Sequence, residues 1–91
     1  MAAPVELIDA LAAAGAARAD AEMRELLLRT KSLPKYKCDK SDLKYPQYKQ
    51  AHKEAGGKAQ TARNAVGEPM MALVNYYRSN PSELDALFGI V

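Results

Sequence analysis

The chain has 91 residues, is 48% hydrophobic and 26% charged, and carries a net charge of +2. That length allows one small domain, and Cys38, the single cysteine, excludes a disulfide within the chain. One cysteine and one histidine cannot close a structural zinc shell, and no apolar run approaches the ~18 residues that a membrane span needs.

Residues 4–29 read as a long helix. Pro4 suits the first turn, Glu6 and Asp9 sit where the helix dipole favours anions, and strong helix formers dominate. Ile8, Ala12, Gly15, Ala19, Met23 and Leu26 recur at steps of three and four, which marks one face. Two partners suit that face: this chain's own third helix, or another subunit. Leu26, Leu27 and Leu28 are too many for one face and point to burial from two sides.

Residues 30–46 form an irregular basic loop. Pro34 and Pro46 disfavour helix at Leu33 and Tyr45, and the Lys-Tyr alternation over 35–37 is expected to be extended. Residues 46–55 read as a short helix with Tyr45, Tyr48, His52 and Ala55 on one side. Gly56-Gly57 is expected to end it. Residues 58–79 read as a second helical stretch, its apolar side carrying Ala62, Ala65, Val66, Met70, Leu73, Val74 and Tyr77. Pro69 predicts either a kink near Val66 or a restart with Pro69 at the first helical position. Asn80-Pro81-Ser82-Glu83 has the pattern of a helix start, and residues 81–88 follow as a short helix with Leu84, Leu87 and Phe88 on one face. Two turns cannot stand alone in water, so this helix docks either on its own core or on a neighbour. Tyr76 and Tyr77 suit an interface or the rim of a core equally.

The predicted fold is therefore all-α: a small bundle of three to four helices with an irregular basic central loop and a short C-terminal helix. Its core is thin. Of the 44 hydrophobic residues 17 are Ala, and only 21 are Val, Ile, Leu, Met or Phe. A buried large aliphatic side chain contributes roughly 1.5–3 kcal/mol and Ala much less, against an ordering cost of roughly 1.5 kcal/mol per residue. Such a chain is expected to lean on self-association or on a larger assembly.

Charge is unevenly placed. Residues 29–58 hold nine of the thirteen Lys and Arg against three acids, Asp39, Asp42 and Glu54. Lys31, Lys35, Lys37, Lys40, Lys44, Lys49 and Lys53, with Tyr36, Tyr45 and Tyr48, make a candidate contact for an acidic protein surface or for nucleic acid, where lysine neutralises phosphate and tyrosine stacks on bases. Eight of the nine cations are Lys, whereas base-edge readout leans on Arg.

Catalytic chemistry is scarce. Cys38 and His52 are the only thiol and imidazole, with no third group to orient them. A passive thiol and a helix-surface histidine are expected. Glu22 and Glu25 are spaced like helical carboxylate metal ligands but lack the Glu-x-x-His partners, so a solvated acidic face is expected there. Gly56-Gly57-Lys58 lacks the rest of a phosphate loop. No cofactor and no metal are expected.

These features together point to a non-enzymatic accessory or adaptor subunit in a larger assembly, cellular or viral. Leu84, Leu87, Phe88, Tyr76 and Tyr77 would meet protein, and the basic segment an acidic partner. The alternative is a small nucleic-acid-binding protein using Lys35–Lys53. From a lone thiol and an N-terminus without a basic, apolar leader, a reducing intracellular compartment or a virus particle is expected.

Overall fold

A computed structural model describes residues 5–90; Pro4, expected in the first turn, lies outside them. The chain is all-helical, with α1 (Val5–Ser32), a 3-10 turn (Pro34–Tyr36), α2 (Tyr45–Ser79) and α3 (Pro81–Leu87), and no strand among the described residues.

The first helix runs three residues past its expected end. Pro34 sets the limit: it drives Leu33 into extended backbone at φ −112° and ψ 131°. Ser32, the last helical residue, is buried and its hydroxyl donates to the Leu28 carbonyl at 3.0 Å.

Residues 46–55 and 58–79 are not two helices. The chain is helical without a break from Tyr45 through Gly56, Gly57, Gly67 and Pro69 to Ser79, and it does not restart at Pro69. Each interior glycine costs up to about 1 kcal/mol against Ala, so packing along the whole helix has to outweigh the local signals. The less-exposed positions show how. Tyr45, Tyr48, His52, Ala55, Ala59, Ala62, Val66, Pro69, Leu73 and Tyr76 are each buried or half-buried and follow one another at steps of three and four. That is the 3.5-residue repeat of a coiled-coil seam, and it passes Gly56-Gly57 without losing phase.

α1 supplies the other side of the seam through Leu7, Leu11, Ala14, Ala21, Glu25, Leu28 and Ser32, all half-buried or buried. The two helices lie antiparallel. Leu11 shares a groove with Leu73, Glu22 pairs with Arg63, and the Tyr45 hydroxyl donates to the Ser32 carbonyl at 3.4 Å. At the centre of the seam Ala55 and Ala59 are buried, Ala59 completely, so small side chains let the backbones approach.

The stripe Ile8, Ala12, Gly15, Ala19, Met23 and Leu26 is therefore not the face that packs on the chain's own helices. Ile8, Met23 and Leu26 stand exposed. The seam lies one residue earlier, about 100° round the helix.

The molecule is a rod of 64 × 20 × 16 Å with a radius of gyration of 19.6 Å. A compact domain of this length would have a radius near ~12 Å. Its accessible surface is 6825 Å², against about 5,200 Å² for a compact monomer of this mass. Among the described residues only Ala55, Ala59 and Val66 are buried hydrophobics, and no large side chain is fully buried.

Candidate functional site

Two ends of the rod differ in chemistry. The closed end holds the α1–α2 loop, and the open end holds α3 and the far ends of both long helices.

At the closed end the loop is made of turns rather than extended chain. The Lys37 amide donates to the Pro34 carbonyl at 2.8 Å, closing the 3-10 turn. Lys37 itself lies in the left-handed region at φ 59° and ψ 39°, a conformation that costs a non-glycine residue roughly 1–2 kcal/mol. Asp39 accepts from the Ser41 amide and hydroxyl, and these two bonds, the hydroxyl's first, hold its carboxyl below the usual carboxylate range. Asp42 accepts from the Lys44 amide at 2.8 Å and, through its carbonyl, from the Tyr45 amide at 2.9 Å. Two of the segment's three acids are thus engaged in backbone turns.

The lysines are left over. All eight in the chain lie between Lys31 and Lys58, and none forms an ion pair among the described residues. The arginines divide the other way: Arg18, Arg24, Arg29 and Arg63 each hold a carboxylate. Lys37, Lys40, Lys44, Lys49 and Lys53 are exposed, and Leu43 between them is 96% exposed.

The tyrosines do not form an open stacking platform. Tyr45 and Tyr48 are half-buried in the seam. The Lys31 ammonium lies 5.7 Å from the centre of the Tyr48 ring, and that of Lys35 5.1 Å from the Tyr36 ring, so lysine already covers one face of each. Cys38 is half-buried in the loop and His52 half-buried in the seam rather than on the helix surface. No hydrogen bond joins them.

Midway along the rod, Glu22 and Glu25 face α2 rather than solvent alone. The Arg63 guanidinium donates from Nε to Glu22 at 2.8 Å and from Nη2 to Glu25 at 3.5 Å. Arg18 reaches Glu22 at 3.1 Å and Arg29 reaches Glu25 at 2.9 Å. The hydrogen bond from Arg63, and next that from Arg18, hold the Glu22 carboxyl below its ordinary range. These acids bridge α1 to α2 through Arg63. Among the described residues no group of three or more His, Cys, Asp or Glu could hold a metal, and no helix is long and apolar enough to cross a membrane.

At the open end the expected docking residues divide. Leu84, 37% exposed, and the half-buried Tyr77 line an open groove with Leu11, Met70, Leu73 and Val74. Tyr76 and Tyr77 meet edge to face at 5.4 Å. Tyr76 donates its hydroxyl to Glu83, and this bond, with desolvation behind it, pushes the phenol up to about 12. The Asn80 side chain does not cap α3; its amide donates backwards to the Tyr76 carbonyl at 2.9 Å. Gly89, at φ +67°, turns the chain beyond α3. Leu87 and Phe88 face outward at 61% and 69% exposure, with Ile90 beside them.

Sequence reading missed the Glu22–Glu25–Arg63 bridge, and it left the α1 stripe open between this chain's own third helix and another subunit. The signal for the bridge was the unbroken three-four spacing of α2, which sets Arg63 level with Glu22. No family of proteins, no curated protein and no solved structure matches the chain.

Proposed function

We propose that the protein is a non-enzymatic accessory subunit of adaptor type. It docks into a larger protein assembly through apolar helix faces at its open end, and its lysine-rich closed end meets an acidic partner surface. One observation carries this reading: with no large side chain fully buried among the described residues, Ile8, Met70, Val74, Leu87, Phe88 and Ile90 are left in water. Exposed apolar surface of that extent marks an interaction site. The small bundle expected from the sequence is completed, on this reading, by helices of a neighbour. The lone free thiol suits a reducing compartment or a virus particle.

The test is co-purification of a tagged chain from its own cells, comparing the wild type with Leu87→Asp/Phe88→Asp. Both positions are exposed, so helix content is expected to survive while the reproducible partner set is lost. Unchanged recovery of that set would sink the docking role of the open end.

A second reading is favoured by the eight lysines, none of which holds an ion pair among the described residues: the closed end binds nucleic acid. It requires affinity that falls steeply with salt and disappears in Lys35→Glu/Lys37→Glu/Lys40→Glu. The half-buried Tyr45 and Tyr48 weigh against a stacking platform and keep this reading second.

A further inference from the structure

We infer that the lysine-rich tip at the closed end docks on the surface of an anionic phospholipid bilayer, with Leu43 as its apolar anchor. This rests on the reading that the closed end meets an acidic surface, and it names that surface.

Leu43 stands at the apex of a turn. The Tyr45 amide donates to the Asp42 carbonyl at 2.9 Å, and the Lys44 amide to the Asp42 carboxylate at 2.8 Å. Two hydrogen bonds therefore fix the backbone around the leucine while its side chain stays in water. Leu43 is 96% exposed, more than any other large hydrophobic residue described, so it adds nothing to the seam.

Cations flank it. Lys35, Lys37, Lys40 and Lys44 share the loop, Lys31 lies in the last turn of α1, and Lys49 lies four residues into α2, about 6 Å along its axis. All six are exposed, and none holds an ion pair among the described residues. The acids of the loop, Asp39 and Asp42, turn their carboxylates to its own Ser41 and Lys44 amides. Six cations less two acids leave +4 on the end of a rod 20 × 16 Å across. Glu54 lies nine residues into α2, about 13 Å from its start, beyond the ~10 Å over which a screened charge acts.

The apex leucine and its lysines together select the partner. Nucleic acid offers phosphates to the lysines but leaves Leu43 in water, and the Tyr36 and Tyr48 rings that would stack on bases already lie beside lysine. An acidic protein would have to set an apolar pocket among carboxylates. An anionic bilayer presents that combination over its whole surface: headgroups meet the ammonium groups, lysine stems lie along the interface, and the leucine enters the acyl boundary. One short anchor is weak alone, and anchor and basic patch together give reversible, salt-dependent binding. End-on contact leaves Leu87 and Phe88 free for protein at the far end of the 64 Å rod.

The chain has no tryptophan, so Leu43→Trp reports on the apex alone. Its emission is measured with vesicles of equimolar phosphatidylcholine and phosphatidylserine, with phosphatidylcholine vesicles, and with single- and double-stranded DNA; binding is measured by co-sedimentation. A blue shift is expected with the anionic vesicles, and none with phosphatidylcholine alone or at high salt. Each lysine beside an anionic leaflet is worth about fivefold in partitioning, so Lys40→Glu/Lys44→Glu is expected to lower binding about 25-fold or more. Leu43→Ser is expected to lower it roughly tenfold. All three positions are exposed, so helix content at 222 nm is expected to be unchanged. No binding to the anionic vesicles overturns the inference. So does binding that Leu43→Ser leaves unchanged, or an unshifted emission from the bound chain, because the contact would then be charge alone. Tighter binding to DNA than to the anionic vesicles overturns it in favour of the nucleic-acid reading, and loss of vesicle binding in Leu87→Asp/Phe88→Asp overturns it by placing the contact at the open end. Failure on vesicles leaves the docking role of the open end standing, because that role has its own test by co-purification.

Discussion

Gly57→Ala separates a continuous α2 from two helices joined by a glycine cap, because the two arrangements give opposite signs. In the continuous helix Gly57 has ordinary helical backbone; Gly89 is the only glycine with positive φ among the described residues. A Cβ added at Gly57 meets nothing within 4 Å, so the methyl group enters without strain. Alanine then recovers the intrinsic helix preference that glycine forfeits, about 0.8–1 kcal/mol, and it also narrows the unfolded ensemble. For a domain of this size that raises the melting midpoint by roughly 4–8 °C. Gly67→Ala, also in open space, is expected to add a similar increment. The assay is thermal unfolding followed by circular dichroism at 222 nm, with all variants at one protein concentration. If Gly57 were a left-handed cap, alanine would be strained there and the midpoint would fall. A fall would refute the continuous helix and the seam built on it.

Pro69→Ala is expected to stabilise the fold by up to ~3 kcal/mol, read by urea titration, because Pro69 lies inside α2 and leaves the Ala65 carbonyl without its helical donor; a destabilised variant would mean that Pro69 starts a helix. Ala59→Leu, at a fully buried seam position, is expected to cost about 1–3 kcal/mol in the same titration through overpacking, and a neutral effect would deny that the helices are closely apposed there. Arg63→Met removes the bridge to Glu22 and Glu25. The Glu22 carboxyl is held low by Arg63, so the stability it confers is present above pH 4.5 and lost as pH falls through its folded value. The gap between wild type and Arg63→Met is therefore expected to close in acid and in 1 M salt, and a gap that persists under both would rule out the ion pair as its cause. Tyr76 is pushed up to about 12 by its bond to Glu83; its contribution is complete below pH 10 and lost as pH rises towards 12. Tyrosinate absorbance at 295 nm is expected to show a step near pH 12 that vanishes in Tyr76→Phe, and its survival would place that step on another residue.

The all-helical character was legible because Ala, Leu, Glu and Lys dominate and no strand pattern competes. The Tyr45, Tyr48, His52 and Ala55 face was legible too, since it spans only three turns of uninterrupted spacing. Two features were not. Gly56-Gly57 carries a strong local stop, and a local rule cannot register that Ala59, Ala62 and Val66 resume the same phase beyond it. On α1, two apolar stripes lie side by side, Leu7–Leu11–Leu28 and Ile8–Leu26. Hydrophobic spacing alone does not rank them. Glu25, expected on a solvated acidic face, lies in the inner stripe, where its carboxylate is satisfied by Arg29 and Arg63. The lysine cluster was plain in the sequence, whereas the occupation of the Tyr36 and Tyr48 rings by Lys35 and Lys31 depends on how the loop turns.

The central claim is that this rod's apolar faces need a neighbour. Melting the purified 9.9 kDa chain over a hundredfold range of concentration, with its mass measured by sedimentation on the same samples, tests it most directly. A midpoint that climbs with concentration, alongside a mass above that of one chain, is the predicted result. A helical monomer with a sharp midpoint that does not depend on concentration would contradict it, because the hairpin would then be stable with its apolar faces in water.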